Sequence, residues 1–196
     1  MEMYDVIVIG FGKGGKVLAS TLAAQGQRVA LVEKSDKMYG GTCPNVGCVP
    51  TKFLVHRAEI SQIKGFPDFA QKAAFYRESI LDKKELRKKI LGKMFNMFDS
   101  NPNITLYTGT AKFVSPKEIE IRGKDFTAAA TADRIVIDTG SVPFIPPIEG
   151  LGECGCAYTS EGMLDLEKLP ERLVIIVGGN IGLEFAPFYR QFGSEV

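Results

Sequence analysis

The chain has 196 residues, with 24 Lys and Arg against 23 Asp and Glu and a formal charge of +1. Hydrophobic residues make up 45% and charged residues 24%, which excludes a disordered tail, a collagen-like chain and a strongly basic nucleic-acid binder. No apolar run approaches the ~18 residues of a membrane-spanning helix, and Met1–Asp5 lacks the basic flank of a signal peptide, so a cytoplasmic protein with no membrane or nucleic-acid partner is expected. Four cysteines are too few for a disulfide scaffold and point instead to redox, metal or packing roles.

Residues 4–9 form a short buried strand by pattern, with β-branched residues running into a glycine cluster. Gly10, Gly12 and Gly15 match G-x-G-x-x-G, with Gly14 between them. A helix over 16–25 follows, with Val17, Leu18, Thr21 and Leu22 on one face and Gly26 as its stop. A second strand over 28–33 ends in Glu33, 18 residues beyond Gly15, with Lys34 beside it as a further cofactor contact. The glycine motif alone is weak. Placed between strand and helix, with an acidic residue on the next strand, it completes a dinucleotide-binding fingerprint. Gly10 permits a tight turn, Gly12 lets a pyrophosphate approach the backbone, and Gly15 lets helix and strand pack closely. The helix N-terminus offers N–H groups to phosphates, and Glu33 can accept hydrogen bonds from ribose hydroxyls.

The stretch 40–52 reads GGTCPNVGCVPTK and holds Cys43 and Cys48. It precedes a helix predicted over 51–64, with Leu54, Ala58 and Ile63 loosely periodic, so the helix start and Lys52 supply the positive potential that favours a thiolate. Zinc would require two further Cys or His at matching spacing, and only His56, a helix-surface residue by pattern, is near. A dithiol/disulfide beside a dinucleotide site is the better chemistry. A helix over 79–98 has a broad apolar face, and Lys83, Lys84, Lys88 and Lys89 are expected on its solvated face. From 104 the pattern changes to strands: ITLYTGTAKFV, EIEI, FTAAATA and RIVIDTG. The Pro- and Gly-rich stretch 143–160 is a linker by composition. Its Cys154 and Cys156 are expected to be incidental thiols, with a metal or redox relay as the alternative. A strand over 172–177 then opens a second βα unit with Gly179, Gly182 and Glu184, and Glu195-Val196 resembles the start of another strand.

The motif G-G-T-C-x-N-x-G-C-x-P-[ST]-K after an N-terminal G-x-G-x-x-G resembles the class I pyridine nucleotide–disulfide oxidoreductases, which include dihydrolipoamide dehydrogenase, glutathione reductase and mercuric reductase. The wording of IGFGKGGKVLA, MYGGTCPNVGCVPTKFLVH and IVIDTGSVP is most similar to bacterial flavoprotein reductases of reactive-chlorine and hypothiocyanous acid defence. The resemblance implies an α/β fold: a Rossmann-like FAD-binding domain, with parallel sheet, helices and β-meander, over 1–150. Linker and the first βα unit of an NAD(P)-binding domain then occupy 151–196. It implies FAD at the first glycine cluster, NAD(P)H as electron donor, and a redox-active Cys43–Cys48 disulfide reducing a small-molecule, disulfide or oxidant substrate. Cys48 is then the thiolate against the flavin and Cys43 the interchange thiol. Lys52 sits by flavin N5 and pairs with Glu184. Gly41, Thr42, Ala111, Thr139 and Gly140 match further cofactor contacts, and Gly179 and Gly182 match the second dinucleotide site.

Three departures stand out. Val177 replaces the first glycine of the second cluster, Asn180 stands where an aromatic gate is common, and Pro187 falls inside a predicted helix. Relatives are more than twice as long and are homodimers. The chain is therefore expected to be a truncated, catalytically incomplete form of such a reductase. A stand-alone FAD-binding thiol module and a soft-metal thiol protein are the competing readings.

Overall fold

The computed structural model describes residues 1–176 and 178–196. Its strands are β1 (Glu2–Ile9), β2 (Val29–Glu33), β3 (Ile104–Thr108), β4 (Thr110–Ser115), β5 (Glu118–Arg122) and β6 (Thr127–Ile137). Its helices are α1 (Lys13–Ala24), α2 (Thr42–Val46), α3 (Cys48–Lys64), α4 (Phe69–Asp99), α5 (Ser160–Asp165) and α6 (Asn180–Phe192). The chain forms two compact units, one from Met1–Asn45 and Lys88–Ser141, the other from Val46–Arg87 and Val142–Val196.

The first unit holds a six-stranded sheet of order β3-β2-β1-β6-β5-β4. β3, β2, β1 and β6 are parallel, and β5 and β4 add an antiparallel meander, as expected for this α/β fold. The two segments FTAAATA and RIVIDTG are one strand. The first part of β6 pairs antiparallel with β5, and its later part runs parallel to β1 as far as Ile9↔Ile137. Buried residues alternate across the sheet with the two-residue strand period. Val6, Val8, Val29 and Leu31 pack with Phe11 and Phe98 on one side. Ile7, Ala30, Val32, Ile119 and Ile121 pack on the other.

Helix α1 begins three residues before its predicted start and turns a different face inward. Gly15, Ala19 and Ala23 are buried, Leu18 and Leu22 are half-buried against the core, and Val17 is exposed. The reason is steric: a row of small residues at i, i+4 and i+8 brings the helix closest to the sheet.

The second unit is built on α3 and α6, which run in the same direction. The ion pair Lys52–Glu184 links them near their starts, and Gln62 donates to the Gln191 carbonyl near their ends. Leu54, Ala58, Phe75, Tyr76, Phe185, Phe188, Tyr189 and Phe192 form the core between them and α4. Ile63 is exposed, and Ser61 is buried in its place. Pro187 does lie within α6. Its interior position costs about 3 kcal/mol, and burial of each Phe side chain contributes roughly 1.5–3 kcal/mol. Three buried phenylalanines on α6 therefore offset the proline. The Tyr76 and Tyr189 hydroxyls lie 3.1 Å apart and donate to the Leu166 and Met163 carbonyls. Burial pushes the Tyr189 phenol up to about 12.

Three further expectations are corrected. α4 spans 31 residues rather than 79–98, because Asp68 caps it: its Oδ1 accepts the Gln71 N–H at 2.8 Å. Lys83 is buried, not solvated. Its ammonium donates to the Leu164 carbonyl and, at 2.5 Å, to Asp165, while Lys84 pairs with Glu167 at 2.6 Å. Burial holds the Lys83 ammonium below the ordinary lysine range. Residues 173–176 form no extended ladder. An isolated parallel bridge, Arg172↔Glu195, stands there, with the Leu173 N–H donating to the Glu195 carbonyl at 2.7 Å. The substitution at Val177 lies outside the described residues. In the stretch read as a linker, the Cys154 and Cys156 sulfurs lie 2.7 Å apart.

Candidate dinucleotide and thiol site

In the first unit, the carboxyl ends of β1 and β6 converge on the start of α1. The Asp138 N–H donates to the Ile9 carbonyl at 2.7 Å, and the Gly10 N–H donates to Val32 at 2.8 Å. Gly10 has φ +112°, and a Cβ there would lie 2.1 Å from the Asp138 carbonyl oxygen, so no other residue fits without backbone movement. A Cβ on Gly41, at φ +80°, would lie 2.5 Å from the Gly12 Cα. The 40–41 turn thus sits directly on the first turn of α1. Gly12 is the N-cap of α1 and makes no side-chain cap bond, and the N–H groups of a helix start are what receives phosphate.

Glu33 ends β2 with its carboxylate buried. Its Oε2 accepts the Phe11 N–H and its Oε1 the Ser35 N–H, both at 3.1 Å. A carboxylate has about four acceptor sites, so Glu33 can orient the glycine turn and still accept sugar hydroxyls. Lys34, next to it, is exposed. Thr139 and Gly140, at φ +72°, continue from β6 and are exposed beside Gly10. Ala111 lies on β4 at the sheet edge, opposite Ile121. Gly41 is buried, Thr42 exposed and Cys43 half-buried at the start of α2.

Two further residues belong to this constellation. Asp138 Oδ2 accepts the Gly15 N–H at 2.7 Å and so places a carboxylate at the N-terminus of α1. Buried Asn45 donates to the Tyr39 and Gly41 carbonyls at 3.0 and 2.8 Å and holds the 40–41 turn, while its Oδ1 has no partner. The position of Asp138 at the end of an apolar strand, just before Thr-Gly, was the available sequence signal. That of Asn45 was its place inside the cysteine motif. Glycines that a Cβ would fill, a helix start with glycine at its N-cap, a buried carboxylate and an unpartnered amide oxygen together fit a dinucleotide cofactor.

In the second unit, Cys48 is the first residue of α3, exposed, with Gly47 as N-cap. Thr51 clasps that turn, its hydroxyl donating to the Gly47 carbonyl at 2.7 Å. Lys52 lies one turn beyond Cys48 and pairs with Glu184 of α6, as the resemblance implied. Gly179 is the N-cap of α6 at φ −76°, and a Cβ there would meet nothing within 4 Å. Gly182 helps line an apolar groove of about 400 Å³ with Leu173, Ile175, Leu183 and Ala186. The two glycine clusters, alike in sequence, therefore differ in how strongly the fold demands glycine. His56 is exposed and 3.6 Å from Glu59, consistent with a helix-surface role. Among the described residues no three His, Cys, Asp or Glu side chains gather in a metal-binding group, and no helix is long and apolar enough to cross a membrane.

Comparison with known proteins agrees with this geometry. The probable pyridine nucleotide-disulfide oxidoreductase RclA of Escherichia coli is 40% identical over 196 residues, 100% of this chain and 42% of the relative. A mercuric reductase of Shewanella putrefaciens is 37% identical, and a dihydrolipoyl dehydrogenase of Thermus scotoductus 38%, each over 100% of this chain and 36% and 42% of the relatives. The chain thus spans about two fifths of these proteins. The solved structure of a Cu(II) complex of the HOCl-induced flavoprotein disulfide reductase RclA from E. coli superposes with a TM-score of 0.88 at 40% identity, covering 99% of this chain and 41% of that one. Members of the matching family depend on FAD and take electrons from NAD(P)H. A model of that family, pyridine nucleotide-disulphide oxidoreductase, matches residues 4–196, and the chain belongs to it.

Proposed function

We propose that the chain binds FAD at the first glycine cluster and uses Cys43 and Cys48 as the redox-active pair of an NAD(P)H-dependent disulfide or oxidant reductase. The observation that carries this reading is the cradle at α1, where Gly10 and Gly41 are held against backbone at a helix start whose N-cap is glycine. FAD, when bound, supplies a two-electron carrier between NAD(P)H and the thiol pair. Cys48 acts as the thiol next to the flavin, at a helix start that favours negative charge. Cys43 acts as the interchange thiol that attacks the substrate. Lys52, held by Glu184, provides a positive charge one turn from Cys48. The Gly179–Gly182 turn serves the nicotinamide nucleotide. The same reading places the protein in the cytoplasm, where thiols stay reduced, as a homodimer acting in cell redox homeostasis.

The test is an FAD titration of the purified chain followed by absorption spectroscopy. Retained flavin, with a long-wavelength band on reduction that Cys48→Ser abolishes and Cys43→Ser preserves, supports these roles. A chain that stays colourless in excess FAD refutes them.

A further inference from the structure

Cys154 and Cys156 lie outside the cysteine motif assigned above and take no part in the proposed reaction. Both are exposed, and their sulfurs are 2.7 Å apart, about 0.7 Å longer than an S–S bond of ~2.05 Å. The backbone explains why two residues so close in sequence aim their thiols together. The Ala157 N–H donates to the Cys154 carbonyl at 3.1 Å, closing a β-turn with Gly155 and Cys156 at its centre. A Cβ on Gly155 would meet nothing within 4 Å, so the turn stands clear of the rest of its unit.

From this we infer that Cys154-Gly155-Cys156 is a second redox-active dithiol, which exchanges with low-molecular-weight disulfides and closes to an intra-loop disulfide. In the first step the Cys154 thiolate attacks one sulfur of R–S–S–R, forming Cys154–S–S–R and releasing RS⁻. In the second, Cys156 gives its proton to RS⁻ and attacks the Cys154 sulfur, forming Cys154–Cys156 and releasing the second RS⁻. Two protein thiols lose two electrons, and one external disulfide becomes two thiols. The roles follow from the contact between the sulfurs. The contact between the two side chains holds the Cys154 thiol below the ordinary cysteine range and Cys156 above it. Cys154 is thus the attacking thiol and Cys156 the resolving one. Among the described residues no third His, Cys, Asp or Glu gathers with the two thiols in a metal-binding group.

The test uses the 196-residue chain equilibrated with reduced and oxidised glutathione, then alkylated and digested with trypsin. The pair falls in the peptide 135–168, while Cys43 and Cys48 fall in 38–52, so each is read separately by mass. The expected result is a 135–168 peptide that loses two hydrogens and both alkylation sites as oxidised glutathione rises. Cys156→Ser, which keeps a hydroxyl donor, should accumulate a glutathione adduct on Cys154 at least about fivefold faster than Cys154→Ser does on Cys156. Two alkylatable thiols at every ratio, equal adduct rates in the two variants, or a disulfide joining 135–168 to 38–52 would each overturn the inference.

Discussion

Gly10→Ala against Gly179→Ala asks whether two glycine clusters of similar wording carry different structural loads. At Gly10 an alanine must hold φ +112° with its Cβ 2.1 Å from the Asp138 carbonyl oxygen, a backbone atom that cannot swing away. Backbone strain of this kind costs about 1–3 kcal/mol, and overpacking costs about 1–3 kcal/mol more. A loss of about 3–4 kcal/mol is therefore expected, a fall in Tm of roughly 6–16 °C at ~2–4 °C per kcal/mol for a chain of this size. At Gly179 the backbone is ordinary (φ −76°) and a Cβ has open space. There the weaker N-cap preference of alanine is opposed by reduced freedom of the unfolded chain, and the net change is expected within about 1 kcal/mol. Thermal unfolding followed by far-UV circular dichroism measures both. Equal destabilisation by the two variants, or a stable Gly10→Ala, would refute the claim that close backbone approach dictates glycine at the first cluster.

Asp138→Asn keeps an acceptor for the Gly15 N–H but removes a negative charge from the helix start. At ~1 kcal/mol per nearby charge in water, FAD affinity in a fluorescence titration at low salt should rise by about fivefold. Lys52→Met should leave stability within ~1 kcal/mol, since it breaks an exposed ion pair. It should also slow reduction of the flavin-loaded chain in stopped-flow absorbance. At Asp165, partial burial raises the carboxyl, but the hydrogen bond and charge of Lys83 outweigh it and hold the group below the ordinary value. This stabilisation is complete above the unfolded pKa near ~3.9 and is lost as pH falls through the lower folded pKa. Asp165→Asn should therefore make the acid-unfolding curve of the chain shallower over that window.

Much of this protein is legible in its sequence because the signals are local. The β1–α1–β2 unit follows from a strand pattern, three glycines and Glu33, all within about 30 residues, and Cys43, Cys48 and Lys52 lie close together in sequence, on α2 and the start of α3. The start of α4 was also legible, as an Asp68-x-x-Gln71 cap that the weak apolar periodicity of the next residues obscured. Long-range choices were not. Lys83 reads as a surface lysine until α5 brings the Leu164 carbonyl and Asp165 to its ammonium. The inward face of α1 is set by how closely Gly15, Ala19 and Ala23 approach the sheet, not by which residues are most apolar. Asp138 joins the α1 helix start because β6 lies next to β1, a pairing across more than a hundred residues of chain. Even Cys154 and Cys156 needed the turn at Ala157 to become a pair of touching sulfurs. The sequence alone carried the family, because the motifs that mark it, the first glycine cluster and the cysteine pair, each lie within one short segment of chain. Tertiary structure alone decided which glycines are irreplaceable and which charges are buried, because both depend on what another segment presses against them.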